Sequence, residues 1–411
     1  MRKFSAARAG SPAAGETVIE ALLREGAQKM LQWAIEAEVA EYIDRHADLR
    51  EAGGGHRLVV RNGHLPERGI QSPLGPIPVR QPRVADQRAG CRFTSNILPK
   101  YLKRTPALDN LIPTLYLKGL STNALPAALA SILGPAAAGL SAATILRLCE
   151  QWQAEMAAWQ QRDLSGRHYV YFWVDGIYFN VRLSDERPCL LVVIGALADG
   201  QKELVALADG ERESALSWQE VLLDLKRRGV KEAPALAVGD GALGFWKALE
   251  EVFPSTQEQR CWVHKTANVL DKLPQSLQAQ AKGHLHRMYL SPTEPEARQA
   301  YEEFLRLYGV KYPKAAECLK KDRDTLFTFY AFPAEHWVHL RTTNPIESTF
   351  ATVRHRHRQT KGNGSRLATL TMAFQLLREC EKTWRTLNGV HRIAQVISGV
   401  KFQDGLEIQA A

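Results

Sequence analysis

The stretch from His168 to Leu183 is made almost entirely of aromatic and β-branched residues, with one acid, Asp175, followed at once by Gly176. Side chains of this kind fit a pleated, largely buried surface, so a sheet must form here and the rest of the chain must cover it. Asp-Gly suits a two-residue hairpin, because glycine tolerates positive φ and aspartate tolerates it better than most residues. The expectation is therefore two strands, His168 to Val174 and Ile177 to Leu183, joined at Asp175-Gly176. Two readings of Asp175 stay open on this stretch alone: the turn residue of a hairpin, or a carboxylate held rigidly where an apolar strand ends.

The following segments extend the sheet. Pro188 to Leu197 reads as a third strand, Ser214 to Arg228 as a helix, and Ala235 to Gly239 as a short buried strand that ends at Asp240-Gly241. Three antiparallel strands, a helix and a further strand make the opening order of the ribonuclease H-like fold, in which acids at the ends of the first and fourth strands meet as neighbours. Ala242 to Val252 reads as a helix and Gln257 to Trp262 as a short strand. Residues 265–335 are helical in pattern and too long for a simple connection, which predicts an inserted helical domain.

Upstream, residues 1–15 are expected to be disordered. Ile19, Leu22, Leu23, Met30, Leu31, Ala34 and Ile35 recur at helical spacing from Glu16 to about His46. Beyond Gly53-Gly54-Gly55, the span Leu58 to Arg83 reads as short β pieces, and from Arg57 to Arg83 there are five arginines (57, 61, 68, 80, 83) against one acid, Glu67. Such an arm suits phosphates or a solvated loop equally well. Leu108 to Ala157 is helical again, broken at Gly119 to Thr122 and at Gly134-Pro135, with Ser141 as a natural N-cap of the last helix. This pattern is compatible with a helix-turn-helix, as any small helical bundle would be.

At 411 residues and 45% hydrophobic content, the chain allows several well-filled cores. Lys plus Arg (53) exceeds Asp plus Glu (44), giving a net charge of +9 that suits an anionic partner, nucleic acid foremost. Six scattered cysteines without a Cys-x-x-Cys pair suggest a reduced, cytoplasmic protein. The start of the chain lacks the apolar core of a signal peptide, and the run from Cys189 to Ala198 is far shorter than the ~20 residues that span a bilayer.

Two-metal phosphoryl transfer needs carboxylates converging on divalent ions ~3.5 to 4 Å apart. Asp175 and Asp240 are two candidates. Glu347 is the third, in the first turn of a helix that Thr343 or Asn344 can cap and that Pro345 opens; helix N-termini also favour acids for dipole reasons alone. Arg354 and Arg358 fall within ~20° of the Glu347 face at 100° per residue. No acid occurs from Ser348 to Arg378, while Arg354, Arg356, Arg358, Lys361 and Arg366 do, which suits either a polyanion or a solvated basic face.

The ordered motifs Asp175, then Asp240 to Trp246, then Gln259-Arg260-Cys261-Trp262-Val263-His264-Lys265-Thr266-Ala267-Asn268, then Thr342 to Ser348, resemble those of the Mutator-like transposases of bacterial insertion sequences, the insertion sequence 256 family. Arg61-Asn62-Gly63, Arg68, Gly75, Pro82-Arg83 and Tyr116 to Thr122 look like that family's DNA-binding region, so the likeness runs from about residue 20 to 400. The chain departs from the family at Phe350, where Asn is frequent, and at Ala124-Leu125-Pro126.

The resemblance implies an Asp-Asp-Glu transposase in which Asp175, Asp240 and Glu347 bind two Mg²⁺ or Mn²⁺ ions, one activating a nucleophile and one stabilising the departing 3′-oxygen. It implies double-stranded DNA as partner, both terminal inverted repeats and target, a homodimer or larger assembly, and a circular copied-out intermediate. Arg354, Arg356, Arg358, Lys361, Arg61, Arg83, Lys118 and Lys265 are the candidate DNA contacts. Cys261, His264 and Trp246 are candidate supports of the site, His264 or Lys265 alternatively packing the insertion and Trp246 alternatively belonging to the core. Zinc is not expected, since Cys261 and His264 are two ligands only and His284-x-His286 has no finger spacing.

The expected organisation is a helix with a basic β-containing arm over 16–105, a helical DNA-binding domain over 106–160, and a mixed α and β, ribonuclease H-like catalytic domain over 161–264 and 336–365. A helical insertion would occupy 265–335 and a C-terminal helical segment 366–411. The alternative is a DNA-binding relative without catalysis, a repressor or domesticated regulator.

Overall fold

The computed structural model describes residues 17–51, 54–118, 120, 124, 127–129, 142–179, 189–210, 213–241, 243–359 and 365–408. By its internal packing the chain divides into two compact units, Met1–Leu148 and Cys149–Ala411.

The first unit begins with α1 (Val18–Arg45), closed at its start by a capping box between Thr17 and Glu20. Two antiparallel ribbons follow, β1 (Val59–His64) with β4 (Pro82–Asp86), and β2 (Arg68–Ser72) with β3 (Gly75–Val79). Ile35 of α1 packs with Ile70, Ile77, Val79 and Leu98 in a small buried core. α2 spans Pro106–Leu117, and α3 (Ala142–Gln160) runs on into the second unit. Most of the turn and second helix of the expected helix-turn-helix, and residues 1–15, lie outside the described residues.

The second unit is built on a mixed five-stranded sheet of order β7-β6-β5-β8-β9. Its strands are β5 (Tyr169–Tyr178), β6 (Cys189–Leu197), β7 (Lys202–Gly210), β8 (Leu236–Gly239) and β9 (Gln257–Arg260). β5, β6 and β7 are antiparallel neighbours; β8 and β9 run parallel to β5. One face packs against α4 (Ala215–Arg227) and α5 (Leu243–Val252), with Phe172, Val174, Leu222, Leu225, Phe245 and Leu249 in the core between them. Each such side chain contributes about 1.5 to 3 kcal/mol through burial. Five helices come next along the chain: α6 (Trp262–Leu270), α7 (Gln275–Leu290), α8 (Glu294–Tyr308), α9 (Pro313–Lys320) and the short α10 (Trp337–Leu340). α11 (Asn344–Gln359) and α12 (Arg366–Glu381) then return to the sheet, in contact with β5 and β7 respectively. No helix of the described residues is long and apolar enough to cross a membrane.

Two strand expectations are corrected. Asp175-Gly176 is not a hairpin turn: β5 passes straight through it, pairing Asp175 with Val192 and Gly176 with Leu191 of β6. Gly176 is absent from the glycines with left-handed φ, so the freedom that makes Asp-Gly a turn signal is not used. Continuous pairing with β6 from Tyr171 to Tyr178 keeps the backbone on both sides of the dipeptide in the ladder, which outweighs the local turn preference. The third antiparallel strand is Lys202–Gly210, unrecognised because Asp199-Gly200 before it and the acids around it read as loop.

Candidate active site

Asp175 projects from a central strand of the sheet. The register pairs Trp173 of β5 with Val238 of β8, and the same offset sets Asp175 level with Asp240, one residue beyond the end of β8. Alternation along β5 places Asp175 on the face of Tyr171 and Trp173. Tyr171 Oη bonds with His336 Nδ1 at 2.7 Å, and Trp173 Nε1 donates to the His339 carbonyl at 2.9 Å, which fastens that face to the segment leading into α11. Asp175 is only 8% exposed and accepts the Gly176 N–H at 2.8 Å.

Burial pushes the Asp175 carboxyl up to about 7; His264 works against this, while the charges of Asp240 and Glu213 add to it. Glu213, immediately before the Ser214 N-cap of α4, is likewise pushed up to about 7 by burial and by Asp240, with His264 opposing. A carboxylate sharing low-dielectric space with others resists ionisation, and a cation relieves it. His264 lies on α6 and is held up at about 9, first by its hydrogen bond with Cys261 and then, against burial, by the charges of Cys261, Asp175 and Glu347. These neighbours favour its protonated form.

Glu347 sits in the first turn of α11, whose first turn closes on the Thr343 carbonyl through the N–H groups of Ile346 and Glu347 at 2.9 and 3.0 Å. The Thr343 hydroxyl stands 3.0 Å from Glu347 Oε1, 3.3 Å from Cys261 Sγ and 3.4 Å from His264 Nδ1. A hydroxyl has one proton and two lone pairs, so it can donate to Glu347 while accepting from protonated His264. Cys261, His264 and Glu347 bring their ligand atoms within 4.8 Å of one another. Among the described residues no other group of Cys, His, Asp and Glu does so, and Asp175 and Asp240 stand outside it. The group supplies three ligands where a closed zinc site takes four, and hydrogen bonds from Thr343 also join its members. Glu347 also borders an open cavity of about 760 Å³ lined by Lys202, His339, Asn344, Ser348 and Trp384.

The candidate DNA contacts separate by burial. Arg354 and Arg358 are exposed on α11, Arg354 lying over the Phe350 ring at 5.7 Å. Arg356, half a turn away, is 2% exposed. Lys265 is buried as well, ion-paired with Asp322 and donating to the Cys318 carbonyl at 2.7 Å, so it packs the helical region. Arg61 is ion-paired with Glu36 at 2.7 Å, and Arg83 and Lys118 are exposed. Lys361 lies outside the described residues. Trp246 packs against the core and its ring would meet a Cβ at Gly239, the residue before Asp240.

The sequence profile of the Mutator family of transposases matches residues 4–386. The chain belongs to that family. Within it, the chain is 54% identical over 298 residues to the transposase for insertion sequence element IS6120 of Mycolicibacterium smegmatis, covering 72% of this chain and 92% of the relative. It is 49% identical over 286 residues to the transposase for IST2 of Acidithiobacillus ferrooxidans, covering 68% and 94%. A more distant relative, the transposase for ISRM5 of Rhizobium meliloti, is 27% identical over 368 residues, 89% of each chain. Sequence reasoning about this Mutator-family transposase missed Glu213 and the hub role of Thr343. Glu213 follows Gly210-Glu211-Arg212 and reads as a solvated loop; the usable signal was its place between a strand and a capped helix, the position at which a sheet presents acids to one edge.

Proposed function

We propose that this insertion-sequence transposase is an Asp-Asp-Glu enzyme with a ribonuclease H-like catalytic domain, binding the terminal inverted repeats of its element and performing metal-dependent strand cleavage and strand transfer. The observation that carries this reading is the level placement of Asp175 and Asp240 at the ends of neighbouring parallel strands, with His264, 3.6 Å from Glu347, also acting on Asp175. The donor set fits Mg²⁺ or Mn²⁺: hard carboxylate oxygens in a buried setting where like charges need a counter-cation. Asp175, Asp240 and Glu347 would hold the ions, which when bound supply Lewis acidity at the scissile phosphate and charge for the leaving oxygen.

The chain's own residues do the positioning. Asp175 is fixed by β5, and Glu347 is aimed by Thr343 and by His264. Such outer partners fix ligand orientation. Arg354 and Arg358, on the Glu347 face of α11, would hold the phosphates of the strand lying across the site, and Arg61, Arg83 and Lys118 would contact the element's ends. The test is incubation of purified protein with Mg²⁺ and labelled DNA carrying those ends. Asp175→Ala, Asp240→Ala and Glu347→Ala should each lose cleavage and joining while end binding survives; activity persisting in any one of them contradicts the assignment.

A further inference from the structure

α1 has two apolar faces, and the first unit covers one of them. Leu31 and Ile35 pack against Ile70, Ile77, Val79 and Leu98, and Val39 on the same side is buried. At 100° per residue, Ile19, Leu22, Leu23, Met30 and Trp33 fall within an arc of ~100° on the far side of the helix. All five are between 53% and 74% exposed. Five large side chains bared to that degree put on the order of 600 Å² of apolar surface on one helix face, the upper end of what a monomer leaves open and close to the ~800 Å² that each partner buries in a standard interface. Charge argues against nucleic acid or an anionic lipid surface as the occupant, because α1 carries six acids against three bases in a chain whose net charge is +9.

The stripe also has a symmetry of its own. Ile19, Leu22, Gly26, Met30 and Trp33 recur 3, 4, 4 and 3 residues apart, so the pattern reads the same in both directions from Gly26. Two such helices laid antiparallel, with the two-fold axis at Gly26, set Ile19 of one copy against Trp33 of the other and Leu22 against Met30, the self-complementary contact of an isologous dimer. Gly26 then stands where the two backbones come closest. Among the described residues a Cβ added there meets no atom within 4 Å. Glycine inside a helix is less favourable than alanine, and nothing around Gly26 in its own protomer requires it; the close approach of a second backbone does.

We infer that α1 is a dimerisation surface, on which two copies of this chain pair antiparallel along the stripe from Ile19 to Trp33 and cross at Gly26. The pairing is independent of the metal reading of the acids.

The test is sedimentation equilibrium of the full chain without DNA at micromolar concentration, with folding checked by circular dichroism. The wild type should be dimeric. Met30→Glu and Trp33→Ala change exposed side chains and should keep the fold while raising the dissociation constant by about tenfold or more. Gly26→Ala should also raise it, whereas a glycine facing only water would gain helix and change nothing else; it decides the matter if Met30→Glu fails to fold. Orientation is read by oxidation: Gly26→Cys should cross-link two copies above the wild-type background, and Ile19→Cys should not, since antiparallel pairing sets its two copies ~21 Å apart, beyond the reach of a disulfide. A monomeric wild type, a dimer that Trp33→Ala or Gly26→Ala leaves at wild-type strength, or cross-linking at Ile19→Cys and not at Gly26→Cys would each overturn the inference.

Discussion

Asp175 and Gly176 illustrate how one dipeptide can carry two unrelated signals. Its hairpin preference is local and is overridden by pairing with β6 from Tyr171 to Tyr178; strand alternation, not a turn, aims the carboxyl. Thr343 extends the same lesson: as a capping residue it was legible, but its contacts to Cys261 and His264, 82 and 79 positions away, are brought together with Glu347 only by the fold. His339 offers a test of the packing behind this site. Its Nε2 accepts the Asn388 N–H at 3.1 Å, and burial, helped by Lys202, pushes it down to about 4. The unfolded chain binds this proton at an ordinary histidine pKa, so between pH about 6.5 and about 4 the unfolded state holds more protons than the folded one. Stability from this group is present above that window and is lost as pH falls through it. In urea unfolding followed by tryptophan fluorescence, His339→Gln should therefore show a shallower loss on acidification, by at most about 1.4 kcal/mol per pH unit. An identical pH profile would mean that His339 titrates normally.

α11 is the element in which sequence periodicity was most informative. The 100° rule put Arg354 and Arg358 on the Glu347 face, and both are exposed; the same rule puts Arg356 on the opposite side, where it is buried. Treating the basic run as one surface would miss that division. Arg354→Ala and Arg358→Ala should each lower the slope of log binding constant against log salt by about one unit if each contacts one phosphate. Arg356→Ala should leave the slope alone and lower the melting temperature instead. A reduced slope for Arg356→Ala, or unchanged slopes for the other two, would overturn this assignment of faces. Along the rest of the chain, strands β8 and β9 and helices α4 to α6 were legible because apolar runs and caps agree there. β7 was not, since its Lys202, Glu203 and Asp209 interrupt the apolar pattern. Lys265 was not either: its charge suggested DNA, whereas burial beside Asp322 and Arg260 makes it a tie between α6 and the chain after α9.

At the scale of the whole molecule, the chain forms two compact units. The first, Met1–Leu148, carries exposed Arg83 and Lys118; the second, Cys149–Ala411, carries the sheet, Asp175, Asp240, Glu347 and His264. The excess of 9 positive charges is consistent with a polyanionic substrate but does not locate it. The proposed convergence of residues 175, 240 and 347, which lie far apart in sequence, locates the chemistry. That convergence can be read directly by replacing Mg²⁺ with Fe²⁺ in the full chain and adding ascorbate and peroxide, so that radicals formed at the bound ion cut the nearest backbone. The account predicts protein fragments ending near Asp175, near Asp240 and near Glu347, all suppressed together by excess Mg²⁺ and lost in Asp175→Asn. Fragments confined to the Cys261 and His264 segment, with none near Asp175 or Asp240, would contradict it.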